Sequence, residues 1–209
     1  MIQNLIYIHA ALGGVALLAG AVAISTKKGS RRHKKAGRIF FFSMLFSVIL
    51  SLIISALPAH ENSFLFAVGV FSLYLVFGGY RALRFRKSDV NTNIDKIASW
   101  LMILIGLLMI FYPPLRFGSI HLVLLVFGIV GISFGIRDLL LFRKKQVLKE
   151  NWLRLHLGKM TGGYIAATTA FFVVNEILPN IWNWFVPGIL GSIYISYWTG
   201  KVKKKPSKM

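Results

Sequence analysis

The chain has 209 residues, 56% of them hydrophobic, with 25 Lys and Arg against six Asp and Glu and no cysteine. So few polar side chains cannot cover a soluble globule, and without cysteine there are no disulfides, thiolate nucleophiles or cysteine-ligated zinc and iron–sulfur centres. The net charge of +19 does not point to nucleic acid, because the basic residues flank apolar runs, where membrane insertion accounts for them.

Seven apolar runs follow in order, near 5–24, 39–57, 64–83, 97–112, 119–142, 155–177 and 182–198. A helix needs about 20 such residues to cross the hydrocarbon core. The first run begins after Met1-Ile2-Gln3-Asn4, which lacks a basic n-region, and it is too long for an h-region. It reads as a span, not a cleavable signal. The connection from Thr26 to Ala36 is the most basic, and the one from Arg86 to Asp95 reads as a solvated turn. The outer connections are short: 58–62, then 113–116 with Pro113 and Pro114, then 178–180. The paired prolines are expected to end the fourth helix. The basic stretch 201–209 is expected to be a cytoplasmic tail without fixed structure.

Threaded in alternation, 24 of the 25 Lys and Arg fall on one side, leaving Arg116 alone on the other. Cytoplasmic connections retain positive charge because its translocation during insertion is unfavourable. The expected fold is an all-α integral membrane protein, a bundle of seven transmembrane helices forming one domain over 1–200. Its N-terminus lies outside and its C-terminus in the cytoplasm. The basic loops would also attract an anionic cytoplasmic leaflet.

Histidines suggest an internal repeat. His9 and His121 head the first and fifth helices near their outer ends, while His33 and His156 precede the second and sixth on the inner side. Helices one to three and five to seven would then be parallel units, with helix four restoring orientation. At about 100° per residue, His9, Gly13, Ala16 and Gly20 share a face. So do His33, Gly37, Met44, Ser47 and Ser51; His121, Gly128, Gly135 and Asp138; and His156, Gly163, Ala167 and Ala170. Close packing in lipid accounts for most of the small residues. His33 also stands in a basic loop, and His60 beside Glu61 reads as exposed.

Asp138 has no comparable explanation. It follows Arg137, but adjacent helical residues diverge, so its partner is expected on another helix. Arg81, Lys159 and His156 are the candidates at its depth. Arg81 could instead snorkel to lipid phosphate.

The runs His9-Ala10-Ala11-Leu12-Gly13-Gly14, His33-Lys34-Lys35-Ala36-Gly37-Arg38, Phe71-Ser72-Leu73-Tyr74 with Gly78-Gly79-Tyr80-Arg81, and His156-Leu157-Gly158-Lys159-Met160 resemble a bacterial multi-pass membrane family. It is known as the domain of unknown function 2306. The resemblance extends over nearly the whole chain. It implies a bacterial cytoplasmic-membrane protein with no established activity, and carries no catalytic or ligand residue.

Three function classes remain. The leading expectation is a b-type haem protein moving electrons across the membrane to a redox partner. His9 with His121 and His33 with His156 would each give bis-imidazole ligation, and Arg38, Arg81 or Lys159 would meet the inner propionates. The second is a metal-dependent membrane enzyme, with zinc or iron held by His33, Asp138 and His156, or an outer site of His9, His60 and His121. The third is a carrier or an accessory subunit of a membrane complex, with histidines in packing or proton relay.

Overall fold

The structure, a computed structural model, describes residues 2–87 and 90–203. Seven α-helices occur among them: α1 (Ile2–Ser25), α2 (Arg31–Ala56), α3 (Ser63–Arg81), α4 (Asn93–Phe117), α5 (Leu122–Phe142), α6 (Lys145–Val174) and α7 (Trp182–Lys203). A short 3-10 turn, Ala82–Arg86, continues α3. There is no strand among the described residues. Five helices are long and apolar enough to cross a bilayer: α1, α2, α3 with its 3-10 extension, α4 and α5. The protein is thus all-helical and membrane-embedded. Of the expected tail, 201–203 continue α7 and 204–209 lie outside the described residues.

Local sequence sets the helix ends. Ser30 and Asn62 cap α2 and α3, their side-chain oxygens accepting from the backbone N–H of His33 at 3.2 Å and Leu65 at 3.0 Å, which satisfies donors that a helix start leaves free. Pro113 and Pro114 do not end α4, contrary to expectation. Helix continues to Phe117 and stops at Gly118, whose φ of 65° needs a residue without Cβ strain. The prolines fall in the last turns, where each removes one N–H and little ladder follows to be lost.

α3 and α6 form the centre of the bundle. α3 packs against α2, α4, α5 and α6, and α6 packs against α1, α3, α5 and α7. α1 and α2 make one closely packed pair, α4 and α5 another, and α7 rests on α6. Small residues permit these approaches, as the sequence suggested. A Cβ on Gly128 would lie 2.7 Å from the carbonyl oxygen of Gly106, and one on Gly79 would lie 2.9 Å from the backbone nitrogen of Met160. Side chains such as Leu18, Phe46, Leu104, Leu108 and Ile193 are exposed on the outside, as a lipid-facing surface requires.

Packing does not follow the expected repeat. α1 lies along α2, but its counterpart α5 lies along α4 and only brushes α6. α3 is central where its counterpart α7 is peripheral.

α6 starts ten residues before the expected run, at Lys145. This extension carries Leu148, which packs with Ala82, Phe85 and Phe142 in a buried cluster joined by Trp152 and Leu155. The cluster covers the end of the bundle that bears the basic connections. The 3-10 turn is therefore packed, with Phe85 2% exposed, whereas Arg86, Lys87, Asn91 and Asn93 of the expected solvated turn are exposed. At the same end Lys28 lies 5.0 Å from the centre of the Trp198 ring and donates to the carbonyl of Ala23 at 3.3 Å. Desolvation holds its ammonium below the usual lysine pKa.

Candidate functional site

Six ionisable or hydroxyl side chains from four helices converge beneath that cluster. Asp138 of α5 is 5% exposed and Lys159 of α6 is 7% exposed. Lys159 Nζ donates to Asp138 Oδ2, and the Tyr74 hydroxyl of α3 donates to the same oxygen. The ammonium also lies 4.2 Å from the centre of the Tyr74 ring, so carboxylate and ring face both stabilise it. Lys159 reaches this place by crossing Gly78, where a Cβ would stand 2.8 Å from Nζ.

A second ion pair lies alongside. Arg81, at the end of α3, grips Asp95 of the first turn of α4 with both Nε and Nη2, each 2.6 Å from a carboxylate oxygen. Nη2 also donates to the Asn91 carbonyl at 3.2 Å. Two parallel bonds make this a fork, the geometry only arginine offers. Asp95 also sits at a helix N-terminus, where a negative charge is favoured.

Ser99 of α4, fully buried, stands between the two pairs. Its Oγ donates to the Asp95 carbonyl at 3.0 Å and lies 3.4 Å from the Tyr74 hydroxyl. Each hydroxyl has one proton, and both protons are committed elsewhere, to Asp95 and to Asp138. The 3.4 Å contact is thus a gap in an otherwise continuous chain. Tyr74, Asp95, Asp138 and Lys159 together line a cavity of ≈ 10 Å³, room for about one water. Phe77, Phe85, Phe142 and Leu155 supply its apolar walls.

The histidines are placed otherwise than the haem reading needs. His9 is half-buried, with Nδ1 2.9 Å from the Ser47 carbonyl, and the Ser47 hydroxyl returns a bond to the His9 carbonyl at 3.1 Å. His121 is exposed at the start of α5, and α1 and α5 do not touch. The outer pair is therefore not assembled, because α5 packs on α4. The inner pair is engaged with the backbone: His33 and His156 are each part-buried. Their Nδ1 atoms face backbone carbonyls, Ala23 at 3.0 Å and Gly79 at 2.8 Å. Arg38 is exposed, and so is His60.

Among the described residues no group of three or more His, Asp and Glu side chains converges as a metal site. Neither His33, Asp138, His156 nor His9, His60, His121 is brought together as such a group. The physical reason for the first is plain: the Asp138 charge is already taken by a lysine. Of the expected supporting residues, Lys159 and Arg81 are in the site, with Lys159 the partner of Asp138 and Arg81 that of Asp95. Tyr74, Asp95 and Ser99 are site residues that sequence reasoning missed. The signal was available in spacing: Asp95 and Ser99 are four apart and Tyr74 and Arg81 seven apart, each pair on one helix face.

No curated protein and no solved structure matches the chain. A family described as "Predicted membrane protein (DUF2306)" matches residues 6–94. That segment holds the His9, His33 and Phe71–Arg81 blocks, and stops short of the His156 block and of Asp138 and Lys159. Residues 6–94 are thus similar to an uncharacterised family of membrane proteins.

Proposed function

We propose that the protein is a proton-exchanging membrane carrier, with Asp138 as the group that takes up and releases the proton. One observation carries this reading: a carboxylate and an ammonium, each nearly unexposed, meet inside the bundle with a tyrosine hydroxyl on the shared oxygen. Stability alone does not call for such a pair, since apolar side chains of similar volume usually serve as well or better. Ionisable groups inside membrane bundles instead tend to mark proton and substrate paths. Lys159 compensates Asp138 when it is charged, Tyr74 offers or accepts the adjacent proton, and the water-sized cavity joins Asp138 to Asp95 toward the basic end. Electron transfer through two haems is not favoured, because a path across the bilayer needs both histidine levels and α1 and α5 stand apart.

The topology belongs to the same proposal. All seven helices cross the membrane, α6 and α7 included, in a cytoplasmic membrane of bacterial type. The basic connections face an anionic inner leaflet. Lys159 and the basic N-terminal extension lower the hydropathy of α6 below that of a simple span, while its second half from Thr161 onward is apolar. Reporters fused after Met209 and inserted at Asn62 should read cytoplasm and exterior respectively. The same side for both would break the seven-helix count, and exchanged sides would break the orientation.

Proton exchange is tested in the purified protein by infrared titration in micelles. Acidification should produce a protonated-carboxyl C=O band in the native chain that is missing in Asp138→Asn. If no Asp138-dependent band appears while the protein remains folded, the proton-exchange reading fails.

A further inference from the structure

We infer that protonation of Asp138 creates a binding site for one small monovalent anion of halide size, held by Lys159 and Tyr74, so that proton and anion enter together. The inference rests on the proton-exchange reading above and extends it to the co-substrate.

Charge conservation in a desolvated place is the argument. Lys159 Nζ and the Tyr74 hydroxyl both donate to a single acceptor, Asp138 Oδ2. When that carboxylate takes a proton, two donors lose their anionic partner, and an ammonium 7% exposed is left uncompensated. An unpaired buried charge is strongly unfavourable. Solvent does little to relieve the lysine here, because the cavity has room for about one water and Phe77, Phe85, Phe142 and Leu155 wall it. A small anion entering beside Lys159 restores the balance: one proton on Asp138 and one negative charge opposite Nζ leave the net charge of the site unchanged.

The surrounding charges permit this. From α3 the groups facing Asp138 are Tyr74 and, beyond Ser99, Arg81. From α4 it is Asp95, and from α6 Lys159. Asp95 is the one carboxylate that could repel an incoming anion, but both its oxygens are engaged by Arg81 at 2.6 Å, which neutralises it. Size sets the class. The cavity measures ≈ 10 Å³, about one water. A halide fits once the carboxyl turns aside, whereas a large organic anion would need the aromatic wall to open.

Chloride is the probe. The infrared titration of the Asp138 band is repeated in chloride and in gluconate at equal ionic strength. By linkage, the pH at which the band appears should rise with chloride, by about one unit per tenfold increase once the site is binding. Gluconate should have no such effect. Lys159→Met should keep the band and lose the chloride dependence. Should that variant not fold, Tyr74→Phe removes one donor and should require roughly tenfold more chloride for the same displacement, as loss of one hydrogen bond implies. An Asp138-dependent band whose midpoint ignores chloride overturns the anion site and leaves proton exchange standing. A chloride dependence that survives unchanged in Lys159→Met or Tyr74→Phe also overturns it.

Discussion

Lys159→Met should destabilise the protein at neutral pH by about 3–5 kcal/mol, the usual consequence of leaving one member of a buried ion pair alone. The carboxylate of Asp138 would keep Tyr74 as a donor but lose its one ion-pair partner among the described residues. Adding Asp138→Leu should recover most of the loss, because the double variant has no buried charge. Two small separate effects would instead add independently. Reversible unfolding in mixed micelles measures both. If the single variant is as stable as the native chain at neutral pH, Asp138 and Lys159 are solvated and the site described above does not exist.

Asp95→Ala should have the second large effect, in this case on access. The Arg81–Asp95 fork joins the end of α3 to the start of α4 directly beside Ser99. Removing the carboxylate strands Arg81, 8% exposed, and should again lower stability by about 3–5 kcal/mol. It should also loosen the cover formed by Phe85, Phe142 and Leu148. The chain has no cysteine, so Ser99→Cys gives a single, nearly isosteric reporter at a fully buried position. A water-soluble maleimide should leave that thiol unmodified in an otherwise native chain. With Asp95→Ala added, labelling should accelerate at least about tenfold, the equivalent of 1.4 kcal/mol less for local opening. Equal labelling in both backgrounds would show that the fork does not close this end. Arg81→Lys should behave like a partial loss, because an ammonium cannot hold both oxygens in parallel.

Sequence by itself determined the helices and their lipid-facing character. Apolar run length and the alternation of basic connections are properties of consecutive residues, and each of the seven expected runs lies largely within one of the seven helices found. It also identified Asp138 as a residue needing a partner on another helix, and Lys159 as a candidate, since depth can be counted along each helix at a fixed rise per residue. The close helix contact at Gly128 was equally foreshadowed by residue size.

Only the tertiary structure decided which helices meet. Two helices of equal depth are indistinguishable in sequence until packing fixes their neighbours. His9 and His121 share one level by residue count, yet α1 packs on α2 and α5 on α4, so the pair is not formed. Asp138 and Lys159 share the opposite level, and α5, α3 and α6 adjoin there, so the pair is formed. Asp95 was hidden for a related reason. It reads as the last residue of a polar connection, and nothing local reveals that Arg81, 14 residues earlier, folds back onto it. The long α6 was misjudged at its start because Lys145–Arg154 is too polar for lipid, while its Leu148 finds a core only beside Phe85 and Phe142. Pattern along one helix fixes what each residue would prefer to face. Pairing across helices settles whether that preference is met, and in this protein it places Tyr74, Asp95, Asp138 and Lys159, from α3, α4, α5 and α6, around one cavity.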